Sequence, residues 1–206
     1  MAKLYFYYSS MNAGKSTTLL QADFNYRERG MTTMLWTAEL DTRYDSGRLG
    51  GGRVTSRIGL MADAHKFASL TNMESAILAQ HGDVPLSCVL VDEAQFLTQD
   101  QVLQLARITD MSGGIPVLCY GLRTDFAGDL FPGSAALLGL ADNLIEIKAV
   151  CHCGRKSTMN LRVDADGHAI IDGAQTEIGG NDRYIAMCRK HFMAARAQSA
   201  ALVSQG

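Results

Sequence analysis

Apolar positions fall along this chain in short runs, set apart by polar stretches with helical spacing and by glycine-rich breaks. Residues 4–8, 31–38, 86–91 and 115–120 are nearly continuous apolar or Thr-rich runs, the pattern of strands buried on both faces of a parallel sheet. Between them lie helical stretches. Residues 16–29 bring Leu19, Leu20 and Ala22 to one side and stop at Gly30. Residues 64–81 read as a second helix. Residues 99–110 read as a third, capped by Thr98 and broken at Gly113-Gly114. Residues 134–140, after Pro132-Gly133, form a short fourth, and residues 143–150 a last strand. Strands alternating with helices predict an α/β fold, a mainly parallel sheet flanked by helices. Trp36, Cys88 and Cys119 sit inside apolar strands and are assigned to the core. His65, His81 and His168 read as surface residues.

Two stretches depart from this rhythm. Residues 41–59 carry Gly47, Gly50-Gly51-Gly52 and Arg43, Arg48, Arg53 and Arg57. A loop of that length is either functional or disordered. At Cys151 the text turns polar and glycine-rich, with little apolar periodicity, so this segment needs a staple to hold a shape. The chain therefore divides into an α/β domain (1–150), a small stapled domain (151–193) and an Ala/Ser/Gln-rich tail (194–206), the tail a frayed helix or disordered.

Composition narrows the class. Of 206 residues, 47% are hydrophobic and 19% charged, enough for a sizeable core. A formal net charge of −2 gives no basic excess for gripping nucleic acid. No apolar run approaches a membrane span, and the N-terminus lacks a signal-peptide pattern, so a cytoplasmic location is expected. In that reducing compartment the five cysteines point to metal before disulfides.

Three constellations carry chemistry. The first is Ser9-Ser10-Met11-Asn12-Ala13-Gly14-Lys15-Ser16, a phosphate-binding P-loop in which Ser9 replaces the first glycine of G-x-x-x-x-G-K-S/T. It follows a strand and opens a helix, so backbone N–H groups and the helix dipole face an anion. Lys15 can reach the β/γ-phosphates, and the Ser16 hydroxyl can hold Mg²⁺. The second is a Walker-B run ending in Asp92-Glu93. Asp92 can hold Mg²⁺ at the carboxyl end of its strand, where ligands bind in open α/β sheets. Glu93 can accept a proton from an attacking hydroxyl or water. The third is Cys151, Cys153, Cys188 and His191, two close pairs able to build a closed, structural tetrahedral Zn²⁺ site. His152 is an alternative ligand whose flanking cysteines are better placed.

The ordered series Tyr5-Phe6-Tyr7-Tyr8, Met11 to Ser16, Asp41-Thr42-Arg43-Tyr44, Ser56-Arg57-Ile58-Gly59, Val91-Asp92-Glu93-Ala94-Gln95-Phe96 and Tyr120-Gly121-Leu122-Arg123-Thr124-Asp125-Phe126 resembles the compact thymidine kinases of bacteria and animal cytosol, most closely the bacterial members. Ile178-Gly179-Gly180-Asn181, running into Tyr184, and the two Cys/His pairs extend the resemblance over almost the whole chain. Ser9 occurs in these relatives in place of glycine. The resemblance implies ATP-dependent phosphorylation of the 5′-hydroxyl of thymidine, with ATP, Mg²⁺ and structural Zn²⁺. It implies Glu93 as the base, Lys15 and Arg43 at the reacting phosphate, and residues 9–16, Asp92 and Gln95 around ATP. For the nucleoside it implies Met11, Asp41, Arg43, Phe96 and Tyr184, with Tyr120 near the pocket. A homotetramer and feedback inhibition by thymidine triphosphate come from the resemblance alone. Arg57 and Arg123 remain open between solvated and functional roles.

Two other readings compete: a kinase for another deoxynucleoside, and a P-loop ATPase whose zinc ribbon binds nucleic acid. The second needs a basic ribbon. Here Arg155, Lys156, Arg162, Arg183, Arg189 and Lys190 face Asp164, Asp166, Asp172, Glu177 and Asp182, so the charge nearly cancels.

Overall fold

Alternation within the buried runs decides which face each side chain covers. In the computed structural model, which describes residues 1–41, 51–175 and 183–203, the runs become β1 (Leu4–Ser9), β2 (Thr33–Ala38), β5 (Cys88–Val91) and β6 (Val117–Leu122). Leu4, Phe6, Met34, Trp36, Val89, Val91, Val117 and Cys119 point to one face of the sheet. Leu35, Cys88, Leu90, Leu118 and Tyr120 point to the other. Trp36, Cys88 and Cys119 are thus core residues, as their positions in apolar strands predict.

The sheet has seven strands in the order β3-β4-β2-β5-β6-β1-β7. Every pairing is parallel except β3 with β4. Helix α1 (Lys15–Glu28) covers one face with Leu19 and Leu20. Helices α2 (Met73–Asp83), α3 (Gln99–Arg107) and α4 (Pro132–Leu140) cover the other with Met73, Ile77, Val102, Leu105 and Leu137. Thr98 caps α3 as its sequence predicts, in a reciprocal capping box with Gln101, and the helix ends in a π-turn, Ile108–Ser112.

Four expectations change. The predicted helix 64–81 splits. Its first part belongs to β4 (Met61–Phe67), which pairs with β2 through Trp36 opposite His65, while only Met73–Asp83 is helical. Sheet pairing overrides the local helix preference of Ala and Lys, and Asn72 marks the true start by accepting the Ser75 N–H at 2.9 Å. The glycine-rich loop 41–59 contains β3 (Gly52–Thr55). A Cβ on Gly52 would sit 2.5 Å from the Ala64 carbonyl oxygen, so this glycine serves close strand approach. The strand predicted at 143–150 is β7 (Asn143–Glu146) in the main sheet and then β8 (Ala149–Val150), which pairs elsewhere with β9 (Lys156–Ser157). The three histidines read as surface residues have partners: His65 lies 5.0 Å from the Trp36 ring, His81 Nδ1 accepts the Leu86 N–H at 2.9 Å, and His168 Nδ1 lies 3.7 Å from Asp164 Oδ2.

Beyond Val150 the chain builds a second, smaller unit. Strands β10 (Met159–Arg162) and β11 (Tyr184–Met187) pair antiparallel, and α5 (Arg189–Val203) closes it, carrying residues 194–203 as helix. Its core holds Cys151, Met159, Leu161, Val163, Ala169, Met187, Cys188 and Phe192. Among the described residues no helix is long and apolar enough to cross a membrane.

Candidate active site

The loop after β1 turns through two left-handed residues, Asn12 (φ 62°) and Gly14 (φ 86°), before α1 begins at Lys15. Asparagine is one of the few non-glycine residues that takes this conformation readily. The Lys15 ammonium folds back over the loop, donating to the Ser10 carbonyl at 3.0 Å and the Ser9 hydroxyl at 3.3 Å. Ser9 Oγ itself donates to the Ser10 carbonyl at 2.9 Å. The side chain standing where the motif has glycine therefore braces the loop from inside.

The two halves of the nucleotide motif meet. Ser16 Oγ donates to Asp92 Oδ2 at 2.8 Å, joining the start of α1 to the carboxyl end of β5. Asp92 is 3% exposed. Burial, then the neighbouring Glu93 charge, pushes its carboxyl up to about 7, against the pull of its bonds from Ser16 and the Glu93 N–H. A hydroxyl and a buried carboxylate side by side are hard oxygen donors, a set that suits Mg²⁺.

Glu93 follows in a left-handed conformation (φ 52°, ψ 37°), which costs of order 1–3 kcal/mol in a non-glycine residue. Its surroundings hold it there. Gln95, 1% exposed, donates through Nε2 to Glu93 Oε2 at 2.6 Å and accepts the Leu122 N–H at 3.0 Å on Oε1. Two glycines let neighbouring elements close on this turn. A Cβ on Gly121 would lie 2.9 Å from Gln95 Oε1, and one on Gly133 2.6 Å from the carbonyl oxygens of Ala94 and Leu97. Phe96 ends the turn half-buried and meets Phe131 edge to face, with centroids 5.8 Å apart.

The other sequence-predicted site residues are less closely grouped. Asp41 ends the described stretch after β2, and its N–H is taken by the Ala38 carbonyl at 3.0 Å. Tyr120 is 1% exposed and stacked on Tyr7 at 4.6 Å, on the α1 side of the sheet, whereas Phe96 packs on the opposite side. Tyr184 opens β11, opposite Arg162. The Arg123 guanidinium lies 5.8 Å from the centre of the Tyr8 ring. Arg43 and residues 178–181 fall outside the described residues.

Two contacts have no counterpart in the sequence reading. Ser10 Oγ donates to Ser157 Oγ at 3.1 Å, and the Met11 N–H to Asn160 Oδ1 at 2.7 Å. Both partners come from the small unit and are 3% exposed. With sequence separations of 147 and 149 residues, only the fold could reveal them.

At the far end of the small unit, ligand atoms of Cys151, Cys153, Cys188 and His191 all lie within 4.8 Å of one another. Cys153 Sγ is 3.9 Å from Cys188 Sγ. His191 Nδ1 is 3.4 Å from Cys151 Sγ and 3.6 Å from Cys188 Sγ. Tetrahedral zinc bonds of about 2.3 Å to sulfur and about 2.0 Å to nitrogen leave edges of about 3.8 Å and 3.5 Å, so the cluster fits this ion. Backbone N–H donation from Cys153, aided by His191, lowers the Cys151 thiol to about 5, which favours the thiolate a metal needs. His152 stacks on His191 at 4.4 Å and lies outside the four-ligand cluster.

Comparison with known proteins bears on the whole chain. The family model described as thymidine kinase matches residues 2–192. A protein of Novosphingobium aromaticivorans named thymidine kinase is 70% identical over 199 residues, covering 96% of this chain and all of that protein. Proteins of the same name from Zymomonas mobilis and Photobacterium profundum are 61% and 56% identical, covering 94% and 95% of this chain and 97% and 98% of theirs.

Proposed function

The chain belongs to the thymidine kinase family, and we propose on that premise that it transfers the γ-phosphoryl group of ATP to the 5′-hydroxyl of thymidine, giving thymidine monophosphate. The observation that carries the mechanism is the junction of Ser16 Oγ with Asp92 Oδ2, with Glu93 next along the chain. That junction supports a reading in which a phosphate loop, a cation-binding pair and a base share one end of the sheet.

The roles follow from that placement. Residues 9–16 cradle the triphosphate. Lys15 gives up the Ser10 carbonyl for phosphate oxygens. Ser16 and Asp92 would hold Mg²⁺, which would supply positive charge to offset that of the phosphates. Glu93 takes the proton of the 5′-hydroxyl as that oxygen attacks in line, and Gln95 keeps the carboxylate aimed. Arg43 offsets the charge that develops on the transferring group. Phe96 stacks on the thymine ring, Met11 and Asp41 line the nucleoside site, and Tyr184 approaches it from the small unit. Tyr120 supports the site from within the core.

Cys151, Cys153, Cys188 and His191 bind a structural zinc. Four protein ligands leave no open position for catalysis. A homotetramer and feedback inhibition by thymidine triphosphate belong to the same reading and rest on resemblance; a cytoplasmic location rests on the sequence pattern. The reading as a nucleic-acid-binding ATPase is not favoured: the small unit's charge nearly cancels, and the relatives matched over almost the whole chain carry the name thymidine kinase.

Incubation with Mg-ATP and a panel of nucleosides tests the proposal. Thymidine monophosphate is the expected product. ATP hydrolysis indifferent to thymidine, with no monophosphate formed, would overturn it.

A further inference from the structure

The peptide unit between Ser10 and Met11 is held from both ends. Its carbonyl accepts the Lys15 ammonium at 3.0 Å, and its N–H donates to Asn160 Oδ1 at 2.7 Å. Lys15 is the loop's own cation. Asn160 belongs to β10, where Met159 and Leu161 on either side turn into the small core beside Cys151. Strand alternation therefore presents Asn160 away from that core and toward the loop. Its amide nitrogen is 3.5 Å from the Thr124 carbonyl, in the segment after β6. One residue earlier in the loop, Ser10 Oγ donates to Ser157 Oγ. All of Ser10, Ser157 and Asn160 are at most 3% exposed, so water cannot readily replace these partners.

We propose that Asn160 is a positioning residue for the phosphate loop, fixing the Ser10–Met11 peptide so that the small metal-stapled unit sets the affinity for the nucleoside triphosphate. A P-loop binds through the orientation of consecutive peptide groups. A flip at Ser10–Met11 would remove the carbonyl that parks Lys15 and shift the entry to the left-handed turn at Asn12. Holding the loop in one form before ligand arrives lowers the ordering cost of binding. A buried donor left without its acceptor typically costs enough to change an equilibrium about tenfold or more. The inference rests on residues 9–16 being the phosphate loop.

The test uses the full, zinc-loaded chain. Calorimetry gives the Kd for Mg-ATP without thymidine, and hydrogen exchange follows the loop amides. Asn160→Leu is expected to raise that Kd about tenfold and to speed exchange at Met11, with zinc content unchanged and the KM for thymidine moving much less. Asn160→Asp keeps an acceptor and is expected to keep Met11 protected, even if its charge weakens ATP binding. Ser157→Ala, a smaller lesion, is expected to raise the Kd two- to threefold, about the effect of losing one neutral hydrogen bond. A wild-type Kd in Asn160→Leu with a raised thymidine KM would assign Asn160 to the base pocket and overturn the proposal. Unchanged Met11 exchange would do the same. Should Asn160→Leu fail to fold, the other two variants decide: wild-type Kd and exchange in Ser157→Ala, or an unprotected Met11 in Asn160→Asp, would overturn it. ATP binding is read without phosphoryl transfer, so failure here is distinct from failure to make thymidine monophosphate.

Discussion

The two units of this molecule hold their shapes by different means. Among the described residues the sheet packs 20 buried apolar side chains on one face and nine on the other. The small unit packs eight, and two of those are the cysteines Cys151 and Cys188. Apolar burial of the first kind carries a fold unaided, at roughly 25 cal/mol per Å². A core of the second size needs a covalent or metal staple. The small unit nevertheless touches the most demanding part of the large one, the loop at Ser10 and Met11. The smaller core thus contributes to the more exacting geometry, and four residues able to hold a metal stand beside it.

Removing the metal should break this division most deeply. Structural zinc supplies on the order of 10 kcal/mol of local folding free energy. Cys188→Ser, or exhaustive chelation, is expected to unfold the small unit and abolish thymidine monophosphate formation, while the sheet keeps its circular dichroism. Zinc analysis should give one ion per chain in the active protein.

Within the large unit the sharpest lesion is Glu93→Gln. It should retain Mg-ATP binding and lose at least about 100-fold in kcat, the usual contribution of a positioned base. Rapid-quench kinetics checks this, and wild-type turnover would remove Glu93 from its role.

Gly133→Ala asks how tightly the sheet unit supports that base. The new methyl would meet the Ala94 and Leu97 carbonyl oxygens at 2.6 Å. Overpacking of this kind costs about 1–3 kcal/mol. A lower Tm is expected, with a fall in kcat larger than any rise in the KM for ATP, because the displaced turn carries Glu93.

The smallest effect is a pH dependence. The Asp92 carboxyl holds its proton up to about 7 in the folded protein, against 3.8 as the ordinary value. The folded state therefore binds more protons between these values. Asp92's contribution to the stability of the ligand-free protein is greatest below the lower value and declines as pH rises toward the upper one. A divalent cation needs the ionised form, so Mg-ATP affinity should rise with pH and level off above about 7, by at most about tenfold per unit. Calorimetry at pH 6 and pH 8 measures it. Asp92→Asn should flatten the dependence, and an equal slope in that variant would assign the proton to another group.

Much of this was legible before the fold. The runs at 4–8, 86–91 and 115–120 are strands because continuous apolar text has no stable place except between two covered faces. Ser9 to Ser16 and Asp92-Glu93 announce their chemistry through residue type and spacing. The Cys/His pairs announce theirs because soft ligands gathered at both ends of a polar segment have few other uses. Harder to see were β3 and β4. Their residues are glycine-rich or favour helix, and their conformation comes from pairing, β4 with β2 and β3 with β4.

The sequence alone determined the alternation that makes the sheet, the candidate phosphate loop, the acid pair and the four candidate metal ligands, since each depends on local pattern or on side-chain chemistry. The tertiary structure decided what depends on distance. It aims Ser16 at Asp92, holds Glu93 in a strained conformation through Gln95, Gly121 and Gly133, and turns Tyr120 into the core. It also brings Asn160 to the Met11 amide across 149 residues. Side-chain direction at such separations is set by how strands pair and where helices pack, and no local stretch of sequence carries that information.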